Sequence, residues 1–68
     1  MNALRIQGRD VKVGDVLLFL GVAHLLVAIE PYPHPLDEGV EWRIVYGADE
    51  GWGMTIHPDG WYDVVPGR

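Results

Sequence analysis

Few side chains in this 68-residue chain have the chemistry to act on a substrate. There is no serine and no cysteine, and the only threonine and lysine are Thr55 and Lys12. A covalent mechanism needs a nucleophile held beside an activating base. Thr55 meets His57 only as a same-face neighbour on one predicted strand, a common arrangement without chemistry of its own. Asp37 and Glu38 would do acid–base work only in a buried pocket, and a barrel built from so short a chain fills its interior with side chains. A zinc site needs three or four convergent ligands. The three histidines, His24, His34 and His57, have no recognisable ligand spacing, and the nearest approach to a cluster is His34 with Asp37 and Glu38 in a proline-rich loop. Gly51-Trp52-Gly53 lacks the Gly-Lys-Ser/Thr ending of a phosphate loop. The sequence therefore predicts no enzyme, no cofactor and no metal.

Binding chemistry is better represented. Trp42, Trp52 and Trp61 fall within twenty residues, with Tyr46 and Tyr62 among them. Strand alternation sends Trp42, Tyr46 and Tyr62 inward. It leaves Trp52 at a turn and Trp61 on the face opposite Tyr62. Trp52 and Trp61, with Tyr32, are the predicted partner-contact residues. Beside Asp49, Glu50 and Asp59 they suit a cationic or proline-rich peptide. The competing reading is that both tryptophans close the open ends of a small barrel, because the chain has few other large residues for that task.

Charge narrows the partners. The net charge is −5, yet Arg5, Arg9 and Lys12 lie in the first twelve residues against Asp10 alone. From residue 13 onward there are nine acids and two bases, Arg43 and Arg68. Phosphate binding draws its affinity from clustered Lys and Arg, so nucleic acid is not an expected partner of the main body. The alternatives are a nucleic-acid-associated barrel using Arg5, Arg9 and Lys12, and an acidic DNA mimic that occupies a basic host protein.

The elements that must position these residues are short. Gly and Pro divide the chain into brief segments typical of strands joined by turns. Leu4–Ile6 is a first, weak strand. Val13-Gly14-Asp15 is a turn, Val16–Leu20 and Val22–Glu30 are strands, and Gly21 reverses the chain between them. Pro31, Pro33 and Pro35 end that strand. Val40–Tyr46, Met54–His57 and Trp61–Val65 follow, with turns at Asp49-Glu50-Gly51 and Pro58-Asp59-Gly60. The alternative is a helix over Asp15–Glu30, capped by Asp15 and stopped at Pro31. Gly21 would cost its interior about 1 kcal/mol relative to alanine.

In the hairpin reading Leu25, Val27 and Ile29 face the core. One hairpin face then has no intrachain cover, and Leu17, Phe19 and Leu26 become candidates for self-association. The Val16–Ile29 run is too short for a membrane span, which needs about 20 residues. Asp10 and Asp15 precede it and no small-x-small site follows, so it does not read as a secretory signal. Without cysteine there is no mark of an oxidising compartment. The chain reads as one mature, cytoplasmic domain over residues 1–68, with no membrane partner.

Asp10-Val11-Lys12-Val13-Gly14-Asp15-Val16-Leu17 resembles the opening of many SH3-like small β-barrels, in which such a turn leads into a long curved strand. The whole chain, with Ile29-Glu30-Pro31-Tyr32 and Gly51-Trp52-Gly53-Met54-Thr55, is similar to short uncharacterised proteins encoded by actinobacteria and their bacteriophages. The first resemblance implies a fold and the second implies no activity. The expected architecture is all-β: an SH3-like barrel or a strongly bent antiparallel sheet of five or six short strands. The expected function is a small protein-interaction module, accessory or regulatory, whose partner is another protein or a second copy as a homodimer.

Overall fold

The computed structural model describes residues 2–32, 39–49 and 51–67. His34, Asp37, Glu38 and Glu50 lie outside the described residues. The strands are β1 (Leu4–Gln7), β2 (Val16–Phe19), β3 (Val22–Pro31), β4 (Arg43–Gly47), β5 (Gly53–Ile56) and β6 (Trp61–Val65), with a 3-10 turn at Gly8–Asp10 after β1. They form one unclosed antiparallel sheet in the order β1-β6-β2-β3-β4-β5. β2 to β5 run as a meander, and β6 returns to the free side of β2 with β1 outside it.

Residues 15–30 form the hairpin rather than the helix. Phe19 pairs with Val22 across a two-residue loop in which Leu20 has φ 51° and Gly21 φ 79°. Two consecutive positive φ values match the right-handed twist of the flanking strands. Gly21 adopts that conformation without strain, whereas Leu20 does so against its Cβ.

β3 is the element that bends the sheet. Its ten residues pair first with β2 and then with β4, and the register shifts between Leu26 and Ala28. A bulge inserts one extra residue and increases local twist. It also reverses which parity faces inward. The predicted inward set of Leu25, Val27 and Ile29 is therefore corrected in part. Before the bulge His24 and Leu26 are buried, with Leu25 48% and Val27 52% exposed; beyond it Ile29 packs on the core.

The core consists of Val11, Leu17, Leu26, Val45, Ile56 and Val64, each no more than 1% exposed, with Ile6, Ile29, Trp52, Met54 and Tyr62 packed around it. Burial of each such aliphatic side chain contributes on the order of 2 kcal/mol. Leu17 and Leu26, expected at a self-association surface, are thus core residues. β4 also departs from its predicted parity: Val45 is fully buried, while Ile44 and Tyr46 are half-buried on the other face. Tyr46 lies against Gly53, its cross-strand partner. Apolar residues occupy both parities of β4, so alternation alone does not select the inner face.

The open ends of the sheet are held by polar contacts. The Asp15 carboxylate, on a residue only 7% exposed, accepts from the Lys12 N–H (2.9 Å) and the Gly67 N–H (3.0 Å), fastening the C-terminal segment to the turn before β2. The Gly8 N–H donates to the Gly60 carbonyl and the Arg9 N–H to that of Pro58. These bonds secure the 3-10 turn to the β5–β6 turn.

Candidate binding groove

A groove of about 690 Å³ lies where the far end of β3 meets the approach to β4. β3 contributes Glu30 and Pro31, followed by Tyr32; the chain entering β4 contributes Glu41, Trp42 and Arg43. Arg9 of the 3-10 turn and Pro58 of the β5–β6 turn complete it. The ladder is continued past Pro31 by the Tyr32 N–H, which donates to the Trp42 carbonyl at 2.9 Å. That bond brings two aromatic residues from separate segments to one place.

Trp42 is half-buried and meets His57 edge to face, with ring centroids 4.8 Å apart and planes at 87°. Its Nε1–H is buried and has no hydrogen-bond acceptor among the described residues. A donor in that state carries a desolvation penalty of about 1–3 kcal/mol that an acceptor would relieve. His57 is committed to the turn beneath. Its Nδ1 accepts from the Asp59 N–H (3.0 Å), which places the ring proton of the neutral imidazole on Nε2. Its backbone N–H donates to the Tyr62 hydroxyl (2.9 Å). No hydrogen bond joins His57 to Thr55 among the described residues.

The charges around the groove are unequally engaged. Arg9 is ion-paired with Asp59 and donates its Nε–H to the Pro58 carbonyl. Arg43 donates to the Gly8 carbonyl at 2.6 Å. Glu30 and Glu41 are exposed and make no ion pair among the described residues. Among the described residues the groove therefore offers carboxylates without ion pairs, together with cations already engaged by their own chain.

The three predicted contact residues lie in three different places. Tyr32 lines the groove. Trp52 is half-buried, stacked on His24 with centroids 3.8 Å apart and planes at 8°, and packed so closely over Gly47 that a Cβ there would lie 2.8 Å from its ring. That position matches the core-closing role. Trp61 is 57% exposed on β6 opposite Gln7. Phe19, expected to self-associate, is 39% exposed near the hairpin tip. Trp42, assigned to the core from sequence, is the groove residue that strand parity missed. The signal available was its position between Glu41 and Arg43 just before β4 begins.

A second polar cluster sits under Trp52. His24 is 7% exposed, and its buried Nδ1 lies 3.5 Å from the Asp49 carboxylate without a hydrogen bond. No group of three metal-ligating side chains occurs among the described residues, and none of their helices is long and apolar enough to cross a membrane. Searches of known protein families, curated proteins and solved structures find no match for this chain.

Proposed function

We propose that this protein is a small protein-interaction module whose groove takes an extended peptide segment rich in proline and carrying Lys or Arg. The observation that carries the reading is the combination of Glu30 and Glu41, both without ion pairs among the described residues, with Tyr32 and Trp42 in a groove whose own cations are engaged elsewhere. Aromatic faces receive proline rings and the aliphatic stems of Lys and Arg. Carboxylates at the rim attract the charged ends and set orientation. The preformed conformation of a proline-rich segment limits the entropy lost on docking. Arg5 faces Asp63 at 3.7 Å and Arg9 pairs with Asp59, so two of the three N-terminal cations already have carboxylate partners. This supports a peptide ligand over a phosphate backbone.

The test is titration of fluorescently labelled proline-rich peptides carrying Arg, against matched peptides carrying Glu. Binding of the Arg series that weakens with salt, and weakens at least tenfold in Glu30→Gln/Glu41→Gln, is the expected result. Equal binding of both series, or none by either, would remove the reading. Trp42→Phe keeps an aromatic ring and eliminates an unsatisfied N–H, so a loss of affinity in that variant without a loss of stability would locate the peptide at Trp42.

A further inference from the structure

The outer face of the sheet at β6, β2 and β3 is largely apolar, with Leu25, Val27 and Trp61 exposed on it and Val16, Leu18 and Val65 half-buried. The register places Val16 between Leu25 and Val65, and Leu18 between Ala23 and Asp63. These residues have the parity opposite to the buried Leu17, His24 and Val64, so they face away from the core. Leu25 is 48% exposed, Val27 52% and Trp61 57%. An antiparallel sheet with one solvated face normally shows polar residues there. This one presents a band of aliphatic side chains, the kind of patch that marks an interaction site.

We infer that this face is covered by a second copy of the same chain, in a two-fold dimer. Three features favour that occupant, and none depends on the peptide groove. First, the chain carries a net charge of −5, but Val16–Ile29 contains no Asp, Glu, Lys or Arg, so the apolar band itself adds no repulsion between copies. Second, the charges paired on this face are one of each sign: Arg5 stands opposite Asp63 in the ladder, their side chains 67% and 50% exposed. A two-fold axis sets a patch against its own image. A patch with one cation and one anion can satisfy that condition by exchanging partners between copies, whereas a patch of single sign cannot. Third, a core in so short a chain is marginal, and small scaffolds commonly add disulfides, a metal, cyclisation or oligomerisation. This chain has no cysteine, and no group of three metal-ligating side chains occurs among the described residues. Association of copies is a device of that set that remains open to it.

Sedimentation equilibrium over a range from about 1 to 500 μM tests the proposal. The expected mass rises from the 7.6 kDa of one chain toward twice that value. Leu25→Glu/Val27→Glu changes only half-exposed side chains, and it should hold the protein at the single-chain mass with its β-sheet circular dichroism intact. Reversing the charges provides an independent arm that does not alter the apolar band. Arg5→Glu should weaken the dimer at least tenfold, as should Asp63→Arg, and Arg5→Glu/Asp63→Arg together should restore it. A single-chain mass at every concentration would overturn the inference. So would a dimer that survives Leu25→Glu/Val27→Glu, or one indifferent to both charge changes.

Discussion

At the scale of single residues, the greatest leverage lies with side chains that have no direct part in binding. Asp15 is a nearly buried carboxylate whose two oxygens each satisfy a backbone N–H, one from Lys12 and one from Gly67. Hydrogen bonds to a charged acceptor are stronger than neutral ones, and removal of the acceptor leaves both donors unpaired. Asp15→Ala is expected to destabilise the fold by about 3 kcal/mol, read as a lower urea midpoint. Asp15→Asn retains part of the geometry and should fall between the two. Leu20 offers the opposite case. It is 86% exposed and holds φ 51°, so its side chain contributes little packing while its backbone is strained. Leu20→Asn gives the hairpin a residue that tolerates this conformation, and a gain of about 0.5–1 kcal/mol is expected. A lower urea midpoint for that variant would contradict the turn assignment.

At the scale of elements, two glycines mark where segments approach too closely for any side chain. A Cβ on Gly8 would fall on the His57 carbonyl oxygen, and one on Gly47 would strike the Trp52 ring. Gly8 lies where the 3-10 turn docks on the β5–β6 turn. There the obstacle is backbone, which cannot rotate aside as a side chain can. Gly8→Ala should cost more than Gly47→Ala, by about 1 kcal/mol or more, in paired denaturant melts. Gly47→Ala should also displace Trp52 from His24, visible as a change in near-ultraviolet circular dichroism. The bulge in β3 acts at the same scale. It allows a single strand to serve two halves of the sheet and brings Leu26 and Ile29 onto one interior, although their spacing puts them on opposite parities.

At the scale of the whole molecule, protection should follow the strand order. The central strands β2 and β3 hold Leu17 and Leu26, both 1% exposed, whereas β1 is an edge strand whose Leu4 and Arg5 are exposed. Native-state hydrogen exchange is expected to show slow amides at Leu17, Leu26 and Val64 and fast ones in β1. Uniform protection across β1 and β2 would mean that β1 belongs to the same cooperative unit. The groove and the apolar face involve different residues. Peptide affinity and self-association should therefore respond to separate sets of substitutions.

The sequence by itself pointed to the all-β class, to the segment boundaries within a few residues, and to the turns at Gly14 and Pro58-Asp59-Gly60, while residues 15–30 stayed open between a hairpin and a helix until the strand pairing at Gly21 decided it. Those features are local: Gly and Pro restrict or release backbone angles wherever they stand, and a few residues suffice to read them. It also revealed that Val16–Ile29 carries more apolar surface than one small core can absorb. The tertiary structure decided which of that surface is inside. A single bulge after Leu26 moved Leu25 and Val27 outward while leaving Ile29 in, and no local pattern in an all-apolar run records such a shift. The candidate site depended on the fold in the same way. Tyr32 and Trp42 are ten positions apart and meet through one rung of the β3–β4 ladder, while the predicted trio of Tyr32, Trp52 and Trp61 is dispersed because each sits on a different part of a bent sheet. Aromatic density along a chain shows that large rings must be placed somewhere. Only strand pairing and register decide which rings share a surface.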